Sequence, residues 1–145
     1  GERQLAASHQ IMLTLMERVR QSVRRNLRSP SLGLPKLCRD AATSRSQLYR
    51  LLEDEGGVAH YIQRQRLSES FSILCDARSN LPIAEVADML CFSDPSSFSR
   101  AFKREFGISP TDVRAATYAG LPPAPQPKSP VGADTRTFID CLRSS

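Results

Sequence analysis

A chain of 145 residues has room for one domain, or for two small ones sharing a connection. Its 20 basic and 15 acidic side chains leave a net charge of +5, and with no apolar run able to span a bilayer and no secretory segment at its start a cytoplasmic protein is expected. No carboxylate pair, nucleophile constellation, phosphate-cradling glycine loop or metal-ligand spacing is present, so neither an enzyme nor a cofactor is expected.

Of the 20 basic residues 17 are Arg, the better partner for phosphate and guanine. Residues 1–30 carry six Arg against two Glu, residues 31–120 eleven basic against eleven acidic groups, and the last 25 three against two. Any nucleic-acid reading of the middle must therefore rest on which face the charges occupy. Cys38, Cys75, Cys91 and Cys141 show no C-x-x-C pairing, and the first three fall in apolar phase. That fits buried thiols in a reducing compartment, with metal or disulfide roles the alternatives. His9 and His60 stand apart from any carboxylate or Cys cluster and read as packing or surface residues. The chain opens on Gly instead of Met, which reads as a processed, tagged or excised fragment.

Residues 1–30 predict a leading amphipathic helix over about 5–27, with an apolar seam of Leu5, Met12, Met16, Val19, Val23 and Leu27 and with His9 in phase. Arg18, Arg20, Arg24, Arg25 and Arg28 enrich its C-terminal half, where positive charge suits the helix dipole. Three readings stand for them: a solvated face, phosphate contacts, or a connection from a sensor domain.

Residues 31–57 predict a first helix-turn-helix. Leu34-Pro35 opens a helix carrying Leu37, Cys38 and Ala41, a turn follows at Ala42 and Thr43, and Ser44-x-x-Gln47 is a capping-box pattern. Leu48, Leu51 and Leu52 form the buried face of the second helix, with Arg45, Ser46, Gln47, Tyr49 and Arg50 pointing elsewhere, and Gly56-Gly57 stops it. Residues 58–79 predict a linker helix, apolar at Tyr61, Ile62, Leu67, Phe71 and Leu74. At about 20 residues it spans roughly 30 Å, close to the ~34 Å between successive major grooves on one side of B-DNA. Arg64 and Arg66 on it read as surface charges, or less readily as phosphate contacts.

Residues 80–120 predict a second helix-turn-helix with a closing helix. Ile83, Val86, Ala87 and Leu90 form one apolar side. Asp94 caps the next helix, Pro95 takes its first position, and Phe98, Ala101, Phe102 and Phe106 recur on one face until Gly107. The other face carries Ser96, Ser99, Arg100, Lys103 and Arg104. A polar helix propped on a shorter one is how a helix-turn-helix presents side chains to a major groove. Sliding the chain by 49–50 residues superposes the two units, Leu37-Cys38 on Val86-Ala87 and Leu48, Arg50 and Leu52 on Phe98, Arg100 and Phe102. The change of shift makes the second turn one residue longer, and the whole reads as an internal duplication. A short helix after Pro110, with Val113, Ala116 and Thr117, closes the unit. Residues 121–145 predict a Pro-rich, flexible tail, with a docking segment around Phe138, Ile139 and Leu142 as the minority reading.

The residues from 82 to 110 closely resemble the second helix-turn-helix of the AraC/XylS family of bacterial transcription regulators. Ile83, Ala84, Ala87, Phe92, Asp94, Ser96, Phe98, Arg100, Phe102, Lys103, Phe106, Gly107 and Pro110 fall in that family's recurrent places. Two positions depart, because Ala42 and Cys91 stand where the family usually has a turn Gly. The resemblance implies an all-α fold of two helix-turn-helix subdomains joined by a linker helix, a homeodomain-like bundle. It also implies a sequence-specific regulator of promoter DNA, an activator touching RNA polymerase, and in many relatives an upstream sensor domain.

By position, Ser46, Gln47, Tyr49 and Arg50 are expected in one groove, and Pro95, Ser96, Ser97, Ser99, Arg100 and Lys103 in the next. Arg suits guanine O6 and N7, and Gln suits adenine N6 and N7. Arg45, Lys103 and Arg104 are assigned mainly to phosphates. Because the two faces differ, an asymmetric site is expected, not a palindrome. The rival reading is a helical protein-protein interaction module derived from a DNA-binding fold.

Overall fold

The computed structural model describes residues 2–122, with side chains from residue 10 onward. Among them are seven α-helices, one short 3-10 turn and no strand, the all-α architecture expected. The readings at Leu5 and His9, of the tail beyond residue 122 and of Cys141 lie outside the described side chains. The chain divides into two compact units, Gly1–Gln65 and Arg66–Ser145.

In the first unit α1 runs Glu2–Arg25, α2 Leu34–Ala41 and α3 Arg45–Leu51, and α4 (Val58–Cys75) begins. The buried seam of α1 is Leu15, Val19 and Val23, continued by Leu27, a stripe at the i, i+4 spacing of one helical face. Among the described side chains it begins at Leu15, and Met16, expected in the seam, is half-buried. Met12 is 51% exposed, alongside Ile11 and Leu13, because no described residue covers that part of the helix. Further along, α1 is fastened to the helix-turn-helix by polar bonds. Arg18 donates from Nε to the Ala41 carbonyl at the end of α2 (3.1 Å), and the buried Ser22 hydroxyl donates to Asp40 (2.7 Å). Lys36 stands 3.6 Å from the same carboxylate. The Ser22 bond is the largest influence holding the Asp40 carboxyl below its ordinary range. Arg18 is thereby a packing residue of the α1–α2 contact.

Instead of running to the glycines, α3 ends at Leu51 and the chain tightens into a 3-10 turn, Glu53–Glu55. Leu48 and Leu52 are fully buried and Leu51 only half so. Arg64 corrects another expectation: it is 8% exposed and pairs with Glu55 at 3.8 Å. A guanidinium so placed is structural, since a buried charge needs its partner. His60 is exposed.

The second unit holds the rest of α4, then α5 Ile83–Met89, α6 Pro95–Phe106 and α7 Pro110–Tyr118. Its core is a phenylalanine cluster. Phe71 lies 5.9 Å from Phe102 and 4.8 Å from Phe106 between ring centroids, Phe102 lies 5.7 Å from Phe98, and Phe92 completes the chain 5.0 Å from Phe98. Offset and edge-on pairs at such separations add about 0.5–1.5 kcal/mol each beyond burial. α4 is shorter than the 58–79 expected, stopping at Cys75, and Ala101 is half-buried where full burial was expected. α7 grips the segment before α5: Arg114 Nη1 donates to the Leu81 carbonyl and Tyr118 Oη to the Ser79 carbonyl (2.8 Å). The Arg114 guanidinium also stands 6.0 Å from the centre of the Tyr118 ring, a cation–π distance.

Candidate nucleic-acid interface

Both helix-turn-helix units are built by the same local chemistry. At the end of α2 the Ala42 N–H bonds the Arg39 carbonyl and the Thr43 N–H the Cys38 carbonyl; after α5 the Cys91 N–H bonds Asp88 and the Phe92 N–H bonds Ala87. Each is a Schellman closure, whose turning residue must be left-handed. Ala42 (φ 54°) and Cys91 (φ 65°) are accordingly the two non-glycine residues with positive φ among the described residues. The departures from the family's turn Gly therefore leave the turns' shape intact and strain their backbone instead.

After the turn each chain reaches a capped helix. Ser44 accepts the Gln47 N–H (3.2 Å), and Asp94 accepts the Ser97 N–H (2.7 Å). From Ala42 to Cys91 the offset is 49, and from Ser44 to Asp94 it is 50. The single extra residue thus lies in the second turn, ahead of the Asp94 cap. These caps give α3 and α6 each a fixed starting point. The helix ends are as definite: α6 stops at Gly107 (φ 76°), whose N–H bonds the Lys103 carbonyl.

On α3, Arg45, Ser46, Gln47, Tyr49 and Arg50 are all exposed around the buried Leu48. On α6, Pro95, Ser96, Arg100, Lys103 and Arg104 are exposed, while Ser97 and Ser99 are half-buried. Each unit therefore presents one polar face, opposite the leucine face of α3 and the phenylalanine face of α6. These are the faces on which the sequence places contact residues.

Two of the expected contacts have their hydrogen-bonding capacity partly spent. Gln47 accepts at Oε1 from the Thr43 hydroxyl (2.8 Å) and from the Ser44 N–H (3.4 Å), closing the capping box. A paired bond to adenine needs that oxygen to accept from N6, so with the box closed Gln47 offers only the donors of its Nε2. The Ser97 hydroxyl donates to Asp94 (2.9 Å), and Arg100 Nη2 donates to Ser97 Oγ at 3.4 Å. Gln47 and Ser97 hold the same place, third in their helices. Thr43, which sequence reasoning left in the turn, is the second holder of Gln47. Its signal was a hydroxyl four residues before an amide.

Asp94 also accepts from the Ser93 hydroxyl (3.3 Å). Its carboxyl lies below the ordinary value, first because of the Ser97 backbone bond, then the Ser97 hydroxyl, with the Arg100 charge a smaller contributor. No group of His, Cys, Asp and Glu able to hold a metal occurs among the described residues. No helix among them is long and apolar enough to cross a membrane.

Residues 37–116 match the family described as "Helix-turn-helix domain". The chain is 33% identical over 82 residues to the probable transcriptional regulator LumQ of Photobacterium leiognathi, covering 55% of this chain and 32% of that protein. It is also 33% identical over 89 residues to the HTH-type transcriptional activator RhaS of Yersinia pestis, covering 60% and 32%. Among solved structures, a transcriptional regulator of the AraC-type DNA-binding domain-containing proteins from Chromobacterium violaceum superposes with a TM-score of 0.64 at 26% identity, covering 78% of this chain and 96% of that one. The chain spans about a third of the length of these curated relatives. That family is one of transcription regulators and not of enzymes. With two capped helix-turn-helix units, and a family match across both of them, this chain belongs to the AraC-type family of helix-turn-helix transcription regulators.

Proposed function

We propose that this chain is the DNA-binding part of a transcription activator working in the cytoplasm. In this reading α3 and α6 enter successive major grooves of an asymmetric promoter site. One observation carries it: two helices of like construction, each with a buried apolar face and an exposed Ser- and Arg-bearing face. In the chain the 18 residues of α4 stand between them.

Arg50 and Arg100 take guanine O6 and N7. Gln47 donates from Nε2 to a base acceptor or a phosphate, Tyr49 lays its exposed ring against a base edge or sugar, and Pro95 packs on the backbone. Ser46, Ser96 and Ser99 bond phosphates or base edges from the start of each helix, and Arg45, Lys103 and Arg104 neutralise phosphates. The activating role follows the relative described as a transcriptional activator, with RNA polymerase as the partner it engages. In this reading the whole protein also carries a sensor domain upstream of this part. Selecting binding sequences from a randomised duplex pool, followed by gel shift with and without excess competitor, tests the reading. An enriched asymmetric sequence that resists competition supports it; an unenriched pool and binding erased by random DNA mean a protein-interaction module instead.

A further inference from the structure

We infer that Asp94 and Ser97 are positioning residues for Arg100, acting through a directed chain of hydrogen bonds that fixes how its guanidinium is presented. This rests on the DNA-reading role of α6. The chain runs from carboxylate to hydroxyl to guanidinium, and the chemistry of its two ends sets its direction. An ionised carboxylate can only accept and a guanidinium can only donate. The Ser97 hydroxyl has one hydrogen, and it is spent on Asp94 Oδ2 at 2.9 Å. The lone pairs of Oγ are thereby turned to Arg100 Nη2, 3.4 Å away. Asp94 itself is held from three directions, by the Ser97 N–H at 2.7 Å, the Ser97 hydroxyl and the Ser93 hydroxyl at 3.3 Å. Its carboxylate is a fixed anchor at the base of the helix.

Arg100 is otherwise an exposed, rotamer-rich side chain, and such side chains lose substantial freedom when they dock. Holding the guanidinium before the duplex arrives lowers that cost at the base pair it reads. The Arg100 charge also depresses the Asp94 carboxyl, so the two ends of the chain sense each other. α3 lacks this device. Its residue in the matching place, Gln47, is tied to Thr43 and Ser44, and Arg50 has no carboxylate cap below it, since Ser44 fills that place.

Asp94→Asn separates capping from charge. Asn caps helices about as well as Asp, and its oxygen can still accept the Ser97 N–H. Its amide nitrogen, however, donates where the carboxylate accepted, so the Ser97 hydrogen loses its acceptor and the directed chain to the guanidinium, which can only donate, is broken. Affinities for the selected site, for the site altered at single base pairs and for random duplex would be measured at fixed salt. Wild type, Asp94→Asn, Ser97→Ala, Ser97→Thr and Arg100→Ala would be compared, together with Asp94→Asn combined with Arg100→Ala.

Arg100→Ala lowers the specific-to-random ratio roughly 5- to 150-fold, at one or two base pairs. Asp94→Asn and Ser97→Ala are expected to lower it about 3- to 10-fold at those same base pairs, with far-ultraviolet dichroism unchanged, while the negative charge lost in Asp94→Asn raises its binding to all duplexes alike. Ser97→Thr, which keeps the hydroxyl, restores the wild-type ratio, and Asp94→Asn has no further effect once Arg100 is Ala. The proposal is overturned if Asp94→Asn weakens specific and random binding equally, if its loss maps to other base pairs, or if that loss persists in full without Arg100. A wild type with no sequence preference overturns the DNA-reading role along with it; a selective wild type matched by unchanged variants overturns the positioning role alone.

Discussion

Replacing Ala42 by Gly is expected to stabilise this protein, against the usual effect of adding a glycine next to a helix. Ala42 sits at φ 54°, ψ 52°, in the left-handed region, where an L-residue's Cβ crowds the following carbonyl at a cost of about 1–2 kcal/mol. Its side chain is exposed, so removing the methyl forfeits little packing. Against the relief stands the greater freedom of Gly in the unfolded chain, about 0.4–1 kcal/mol. The balance favours Gly by about 0.5–1 kcal/mol, a rise in Tm of roughly 3–6 °C for a small domain. Cys91→Gly, at φ 65°, gains less because the Cys side chain is half-buried. The chain supplies its own control in Gly56, which makes the same Schellman closure with its N–H on Glu53 and that of Gly57 on Leu52. There φ is 85° and a Cβ would lie 2.8 Å from His60 Cδ2, so Gly56→Ala should destabilise by more than about 1 kcal/mol. Urea unfolding followed by circular dichroism measures all three. If Ala42→Gly lowers the midpoint as an ordinary helix glycine does, the left-handed strain is not there.

Three further outcomes follow from other parts of the fold. Phe102 is fully buried and its ring meets those of Phe71, Phe98 and Phe106. Phe102→Ala should therefore cost about 3–5 kcal/mol of stability by denaturant titration, and a loss under about 1 kcal/mol would mean the cluster repacks freely. Lys103→Ala, on the exposed face of α6, should flatten the slope of log affinity against log salt by about one, and an unchanged slope removes Lys103 from the phosphate contacts. The Asp94 carboxyl is held below its ordinary value of 3.8 by the Ser97 bonds. Its contribution to stability is therefore complete above the unfolded value and disappears as pH falls through the lower folded one. An NMR titration should show the depressed value directly, and Asp94→Asn should make the acid limb of the stability profile shallower; a carboxyl titrating at or above 3.8 contradicts the cap geometry.

Much of this was legible in the sequence because local rules and burial agreed. Asp94-Pro95 before a phenylalanine period of three and four residues leaves few alternatives to a capped helix, and Ser44-x-x-Gln47 closes the box that its spacing announces. The changing offset of the repeat located the extra turn residue. What the sequence hid were consequences of tertiary placement. Among the described side chains the α1 seam begins at Leu15, with Met12 exposed, since periodicity alone cannot say how far along a helix its cover extends. Arg64 looked like a surface charge because Glu55, its partner, lies in a 3-10 turn that no pattern flagged. Gln47 reads as a ready adenine partner by residue type, and only the positions of Thr43 and Ser44 reveal that its oxygen is occupied.

The central claim is that both helix-turn-helix units read one duplex together. Hydroxyl-radical footprinting on a site selected by this chain tests it most directly. The account predicts two protected patches on one side of the helix, about one turn apart and unlike in sequence. Protection confined to a single groove, or none above that given by random DNA, would contradict it.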